Sequence, residues 1–124
     1  EYIYDPTLYF AGDEISLATR SWTRGWDIFS PSEHVVWHNY TREDRICHWS
    51  DQHDIGYGSL HKESLRKLRQ MLHGEDNKIQ IGPYGLGEER PLKDFERITG
   101  INFRERTLAE RAKNGEPDFT KIEI

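Results

Sequence analysis

Leucines recur at helical spacing in one stretch, and no other pattern in the chain constrains the fold as strongly. Within residues 59–73, "SLHKESLRKLRQMLH", three leucines repeat at intervals of three and four residues: Leu65, Leu68 and Leu72. This period places the three side chains on one face of an α-helix. Ser59 is a suitable N-cap, and Gly74 a suitable residue to end the helix. The pattern therefore predicts a helix over residues 59–73.

A second helix is predicted over residues 13–24. Its apolar stripe is formed by Ile15, Ala18 and Trp22. Asp13 is a good N-cap, and Glu14 lies in the first turn, where the helix dipole favours a negative charge. Gly25 suits the left-handed conformation that commonly ends a helix.

Short extended segments accompany the helices. Residues 34–40, "HVVWHNY", alternate so that Val36, His38 and Tyr40 share one side, which predicts a strand. Residues 1–11 look extended, with a break at Pro6. Pro91 begins a further short helix, "PLKDFERIT", which Gly100 ends. These signals predict the α+β class, with two main helices, a few short strands and a charged, weakly packed tail over residues 105–124.

Composition restricts the partners of the chain. Seventeen basic and 22 acidic residues give a net charge of -5, which disfavours a nucleic-acid binder that neutralises phosphates. Apolar residues make up 35% of the chain, so the core is small and we expect it to pack against another unit or a second copy. No apolar run is long enough to span a membrane. The single cysteine, Cys47, excludes an internal disulfide and fits a reducing compartment, which favours the cytoplasm.

Two adjacent carboxylates, Asp13 and Glu14, are the first candidate site. One interpretation is that they cap and stabilise the start of the helix. The other is that they lie at the edge of an active site, where a carboxylate accepts a hydrogen bond from a substrate hydroxyl. Spacing alone leaves both interpretations open.

Histidines form the second group of candidates. His38, among Val, Trp and Tyr on the predicted strand, is either structural or a ligand to a divalent metal. Another group could form a metal-binding module: His48, Asp51, His53 and His61. Its spacing does not match a Cys/His zinc site, and we interpret residues 51–53, "DQH", as a solvated loop.

Three segments occur in an order that is typical of one enzyme family. They are "AGDEISLATRSWTRGWDIFSP", "VVWHNYTR" and "YGLGEERPLKDFERITGINF". Together they resemble the C-terminal half of the polypeptide N-acetylglucosaminyltransferases, which include cytoplasmic enzymes that attach GlcNAc to hydroxyproline. The resemblance covers roughly residues 8–104.

This resemblance implies the acceptor-side portion of a GT-A type glycosyltransferase. Such an enzyme uses UDP-GlcNAc and a divalent cation, Mn²⁺ or Mg²⁺, and transfers the sugar to a hydroxyl with retention. Its N-terminal half is a nucleotide-binding unit with an Asp-x-Asp motif, which is absent from these 124 residues. The chain does not begin with Met, and we expect that half to precede it. We also expect the 124 residues alone to be inactive.

The same resemblance assigns roles to individual residues. Asp13 and Glu14 would contact the acceptor or the donor sugar, and His38 would join the metal. Tyr40 and Arg42 would lie near the diphosphate, and Trp26 would pack under the sugar. The competing hypothesis is a non-enzymatic domain that binds a glycan or a protein through exposed aromatic side chains.

Overall fold

The structure is a computed structural model that describes residues 4–10, 12–39, 41, 56–73 and 81–120. Its helices are α1 (Asp13–Thr23), α2 (Tyr57–His73), α3 (Leu92–Thr99) and α4 (Glu110–Lys113), with one 3-10 turn at Gly82–Tyr84. Two strands, β1 (Ile101–Asn102) and β2 (Thr107–Leu108), form a small antiparallel sheet. The predicted α+β class is confirmed. None of the described helices is both long and apolar enough to cross a membrane.

Helix α1 begins at Asp13, as predicted, but the predicted N-cap was wrong by one residue. Gly12 is the N-cap, with a φ of 88°, and no side chain caps the helix. An added Cβ at Gly12 would lie 1.8 Å from Leu68 Cδ1, so only glycine lets the chain pass this close to α2. Asp13 is instead the first helical residue. At the other end the expectation for Gly25 is confirmed, since its φ is 85°.

The core lies between α1 and α3. Its buried side chains are Trp22, Phe95 and Ile98. The Trp22 and Phe95 ring centroids are 6.3 Å apart, and Phe103 stacks on Phe95 with a centroid distance of 6.2 Å. Ile15 and Ala18 pack against this cluster, which confirms the apolar stripe predicted for α1.

A second face of α1 is also buried, and it is polar. Its members are Ser16, Thr19, Arg20 and Thr23. The threonine hydroxyls donate to carbonyls one turn earlier, Thr19 to Ile15 at 2.8 Å and Thr23 to Thr19 at 2.8 Å. Because these donors are satisfied within the helix, their burial has a low cost. The short side chains let other segments approach the α1 backbone closely.

Helix α2 and the N-terminal segment hold each other in place. The Tyr9 amide donates to Ser64 Oγ at 2.6 Å, and Lys67 Nζ lies 3.9 Å from the buried carboxylate of Asp5. The helix begins at Tyr57, two residues before the predicted N-cap Ser59. Residues 4–10 form a turn around Pro6 and loops rather than a strand.

Residues 34–39 are irregular, so the strand predicted over residues 34–40 was wrong for the part that the structure describes. The ladder that the structure shows joins Ile101 to Leu108 and Asn102 to Thr107. Helix α3 ends at Gly100, as predicted, but Pro91 is its N-cap rather than its first residue.

The residues after β2 fold back onto the end of α3. Arg111 donates to the carbonyls of Ile98, at 2.7 Å, and Arg97, and the Asp118 amide donates to the Ile98 carbonyl at 2.9 Å. A cation at the carbonyl end of a helix is favourable because that end carries a partial negative charge. The predicted division into residues 1–104 and a weakly packed tail stays a prediction.

Candidate active site

The predicted acids lie in the first turn of α1. Asp13 is partly buried, and Glu14 is exposed. Helix N-termini favour negative charge, so both carboxylates are compatible with the local field. Because Gly12 takes the capping position, neither acid is needed as the N-cap. The Glu14 carboxylate, exposed at the helix end, has the chemistry required to accept a hydrogen bond from a sugar or protein hydroxyl.

Trp26 lies at the opposite end of the same helix. Its backbone amide donates to the Ser21 carbonyl at 3.1 Å, and its side chain is 63% exposed. An α1 of 11 residues is about 16 Å long at 1.5 Å per residue. The structure therefore separates Trp26 from the two acids, and these residues do not meet around one bond of a substrate.

The C-terminal end of α1 is joined to the segment that follows the 3-10 turn, and Thr23 is the centre of this junction. Its Oγ1 accepts the Gly87 N–H at 2.8 Å, while its carbonyl accepts the N–H groups of Glu89 at 2.9 Å and Arg90 at 3.2 Å. An added Cβ at Gly87 would lie 2.5 Å from both the Thr23 carbonyl oxygen and Arg24 Cγ. Glycine is required here for close approach of the two backbones.

This junction fixes the side chain of Arg90. Its guanidinium carbon lies 4.4 Å from the centroid of the Trp22 ring, a cation–π distance. Nη1 donates to Asp27 Oδ1 at 2.7 Å. The side chain of Arg90 remains 25% exposed. The result is a cation that the Trp22 ring holds on one face and Asp27 holds at one nitrogen.

Two further arginines line the same junction. Arg20 is buried, with its guanidinium carbon 5.7 Å from the centroid of Tyr84. Arg24 donates from Nη2 to the Pro83 carbonyl at 3.4 Å and from Nη1 to the Arg20 carbonyl at 3.3 Å. These contacts hold the 3-10 turn against α1, so we interpret both arginines as structural.

The sequence did not predict this junction, although the two segments that form it had both been singled out. Thr23 belongs to "TRGWD" and Gly87 and Arg90 to "YGLGEER", which are two of the three segments that suggested the family. Their separation by about 60 residues hides the contact. The available signal was local: a glycine-rich loop that ends in arginine, with no phosphate-loop lysine, suggests a close approach between backbones.

His38 lies in the irregular segment and is exposed. Tyr40, Arg42, His48, Asp51 and His53 fall outside the described residues. His61 is on α2, stacked on Tyr57 with ring centroids 5.8 Å apart.

Among the described residues, no three His, Cys, Asp or Glu side chains come together in a group that could hold a metal ion. One imidazole does not make a divalent-cation site, which normally needs three or more protein ligands or several oxygens. The described part of the chain therefore does not fit a metal by itself.

Comparison with known proteins gives one match. The model of the family described as Glycosyltransferase (GlcNAc) matches residues 2–105. The match includes α1, α2, α3 and both halves of the junction. No curated protein and no solved structure matches the chain.

Proposed function

The chain belongs to the GlcNAc glycosyltransferase family, and from this premise we propose that it transfers N-acetylglucosamine from UDP-GlcNAc to a protein or glycan hydroxyl with retention. The family match over residues 2–105 is the observation that carries the proposal. Sugar donor, stereochemistry and acceptor are the parts that experiment must test. We further propose a cytoplasmic location, supported by the single cysteine.

The chemistry of the transfer sets the demands on the site. Positive charge develops at the anomeric carbon, and negative charge develops on the departing UDP. Fixed cations that face the diphosphate lower the barrier, and a group that holds the acceptor hydroxyl shortens its path to the anomeric carbon. We assign the second task to Glu14, with Asp13 beside it. In a front-face retaining transfer a separate general base is not strictly required, so Glu14 positions the hydroxyl.

We propose that Trp26 supplies a sugar-packing surface. The residue is largely exposed and its backbone amide is hydrogen-bonded to the end of α1, so the backbone is already anchored when a pyranose ring stacks on the indole. We also propose that Tyr40 and Arg42 approach the diphosphate, although they lie outside the described residues. Because Trp26 and Glu14 lie at opposite ends of α1, they would serve different parts of the substrates.

A divalent cation, Mn²⁺ or Mg²⁺, would stabilise the charge on the leaving diphosphate when bound. We propose His38 as one of its ligands. The remaining ligands would come from a nucleotide-binding unit with an Asp-x-Asp motif, since the 124 residues contain none. We assign this chain no catalytic step that depends on the metal.

The proposal is tested by UDP-sugar turnover in the chain joined to such a nucleotide-binding unit. We expect Glu14→Gln to lower transfer at least about tenfold, because removing a positioning interaction raises the barrier by over 1 kcal/mol. Glu110→Gln, a surface acid on α4, is the matched control and should leave the rate unchanged. Equal transfer rates for the unmodified enzyme, Glu14→Gln and Glu110→Gln would show that Glu14 does not position the acceptor hydroxyl. Turnover of UDP-glucose but not UDP-GlcNAc would exclude the proposed donor.

The metal ligand is tested separately. His38→Ala should lower the metal-dependent rate at least about tenfold at limiting Mn²⁺, without changing the unfolding midpoint. His34→Ala, in the same irregular segment, is the control. An unchanged rate at limiting metal would remove His38 from the metal site.

Exposed aromatic side chains support the alternative function, a glycan-binding domain without enzymatic activity. Besides Trp26, the most exposed aromatic residues among those that the structure describes are Phe29 and Trp37. Sugar rings commonly stack on such surfaces through their C–H faces. Titration of the chain with N-acetylglucosamine oligomers separates the two functions. Tight binding in a protein that shows no UDP-sugar turnover when joined to the nucleotide-binding unit would favour the alternative.

A further inference from the structure

We propose that Arg90 binds a phosphate group of the donor diphosphate through the Nε and Nη2 edge of its guanidinium, and that Thr23 is its positioning residue. This inference rests on the proposed function, since it identifies which group of this chain meets the nucleotide. It adds a cation to Arg42, which the family resemblance suggests for the diphosphate.

The first step is the orientation of the guanidinium. The Trp22 ring covers one face, and Asp27 accepts a hydrogen bond from Nη1 at 2.7 Å. These two contacts fix both the plane of the group and its rotation within that plane. An arginine held in this way has already lost most of the side-chain entropy that phosphate binding would otherwise cost.

The second step is the edge that remains. Across the part of the chain that the structure describes, Asp27 is the hydrogen-bond acceptor shown for the Arg90 side chain, and it uses Nη1. Nε and Nη2 lie on the other side of the guanidinium, where two parallel N–H groups match two oxygens of one phosphate. The side chain is 25% exposed, and we infer that this edge is the part that solvent reaches.

The third step is the support of the backbone. Thr23 accepts the N–H groups of Gly87, Glu89 and Arg90, and Gly87 leaves no space between the two segments. This arrangement holds Arg90 where its side chain reaches both Trp22 and Asp27. Because Thr23 is buried and cannot touch a ligand, it acts only through Arg90.

A second ion pair provides an internal comparison. Arg97 and Asp94 lie one turn apart on α3, with Nε 3.8 Å from Oδ1. Both pairs are partly exposed. Arg90 differs in its shorter charged hydrogen bond and in the aromatic ring below it. The two pairs therefore form matched targets for mutation, with equal changes of net charge.

The test is an NMR titration of the chain with inorganic pyrophosphate, which follows the indole N–H signals at constant ionic strength. We expect the Trp22 signal to shift with a millimolar dissociation constant, and Arg90→Gln to weaken binding at least about fivefold. Arg90→Lys should recover part of the loss. Asp27→Asn should tighten binding about twofold or more, because it keeps an acceptor for Nη1 and removes a repelling charge.

The controls are Arg97→Gln and Asp94→Asn, which should leave the affinity unchanged. Sulfate at the same ionic strength should bind more weakly than pyrophosphate. The inference would be overturned if the Trp22 signal did not shift on addition of pyrophosphate. It would also be overturned if Arg90→Gln and Arg97→Gln lowered the affinity for pyrophosphate equally. The lack of any effect of Asp27→Asn in a folded protein would overturn it as well.

The positioning role of Thr23 needs its own readout. Thr23→Ser keeps the hydroxyl acceptor and should retain pyrophosphate binding, whereas Thr23→Val should weaken it along with a change in the Trp22 signal of the free protein. Equal affinities for the two variants would remove Thr23 from this role.

Failure of this inference can be distinguished from failure of the proposed function. If the joined enzyme transfers GlcNAc equally well with Arg90→Gln, the function stands and the phosphate role of Arg90 is wrong. If pyrophosphate binds at Arg90 but UDP-GlcNAc is not turned over, the anion site stands and the proposed donor is wrong.

Discussion

Trp22 and Trp37 belong to two regions of similar aromatic content and opposite burial. Trp22 is 7% exposed, between α3 and Arg90, whereas Trp37 is 84% exposed in the irregular segment. Trp37 has a stacked neighbour, His34, at 6.4 Å between ring centroids. A hydrophobic side chain is therefore buried by the segments that pack around it, and the sequence pattern of its own segment does not decide its burial. Three segments meet at Trp22.

The largest expected difference between the two tryptophans is in their contribution to stability, which substitution of each by alanine measures. Trp22→Ala should lower the free energy of unfolding by about 3 kcal/mol or more, since it removes a large buried side chain and leaves a cavity. Trp37→Ala should change it by less than about 0.5 kcal/mol, the usual range for an exposed position. Urea denaturation of both variants gives the two values. A cost above about 2 kcal/mol for Trp37→Ala would mean that the irregular segment is packed.

Two glycines allow a similar comparison of the backbone, since Gly87 lies in a packed junction and Gly58 faces open space. Gly87→Ala should cost about 1–3 kcal/mol, because the new methyl group meets the Thr23 carbonyl and the surrounding structure must shift. Gly58→Ala, in α2 with no atom within 4 Å of the new Cβ, should stabilise the protein by about 0.5–1 kcal/mol. Thermal unfolding should therefore move in opposite directions for the two variants. Stabilisation by both would show that the junction is loose.

Threonine substitutions separate a hydrogen bond within a helix from one that joins segments. Thr23→Val should cost about 1–2 kcal/mol, because it leaves the Gly87 N–H without an acceptor. The Thr99 hydroxyl, like that of Thr23, donates to the backbone carbonyl one turn earlier, at 2.7 Å. Thr99→Val should therefore cost less than about 1 kcal/mol. Equal costs in chemical denaturation would assign the effect to the helix rather than to the junction.

The smallest effect is expected at Asp118, whose residue is partly exposed. Hydrogen bonds from the Thr120 side chain and backbone lower the pKa of Asp118 from its usual 3.8. A lowered pKa in the folded state stabilises the protein above pH 3.8 and ceases to do so as the pH falls through the folded-state value. Asp118→Asn should remove this part of the acid sensitivity. A parallel pH profile of stability for both proteins below pH 4 would contradict it.

Sequence patterns predicted the helices well and their surroundings poorly. The stripes of α1 and α2 and the stop at Gly100 follow from residues within one helix, so they were visible from spacing. The alternation in residues 34–40 indicates which side chains would share a face, but it does not identify a strand that would pair with this segment. A strand needs such a partner for its backbone N–H and C=O groups. A pattern within one segment carries no information about that partner.

The candidate site was predicted in the same uneven way. Asp13, Glu14 and Trp26 could be named from the sequence, but their positions at opposite ends of one helix required the structure. The sequence did not single out Thr23, because a threonine near a helix end has many roles and the N–H groups that donate to it lie over 60 residues away in sequence. Contacts between distant segments determine which named residues can act together.

The bonds from Arg111 to the carbonyls of Arg97 and Ile98 have a consequence for how relatives of this chain diverge. The family match stops at residue 105, but the last carbonyls of α3 need hydrogen-bond donors in any chain that keeps this helix. A relative that keeps α3 can satisfy these carbonyls from sequence outside the shared region, as Arg111 does here, or from water. A chimera that replaces residues 106–120 with a piece lacking such a donor should therefore be less stable than one whose piece provides it.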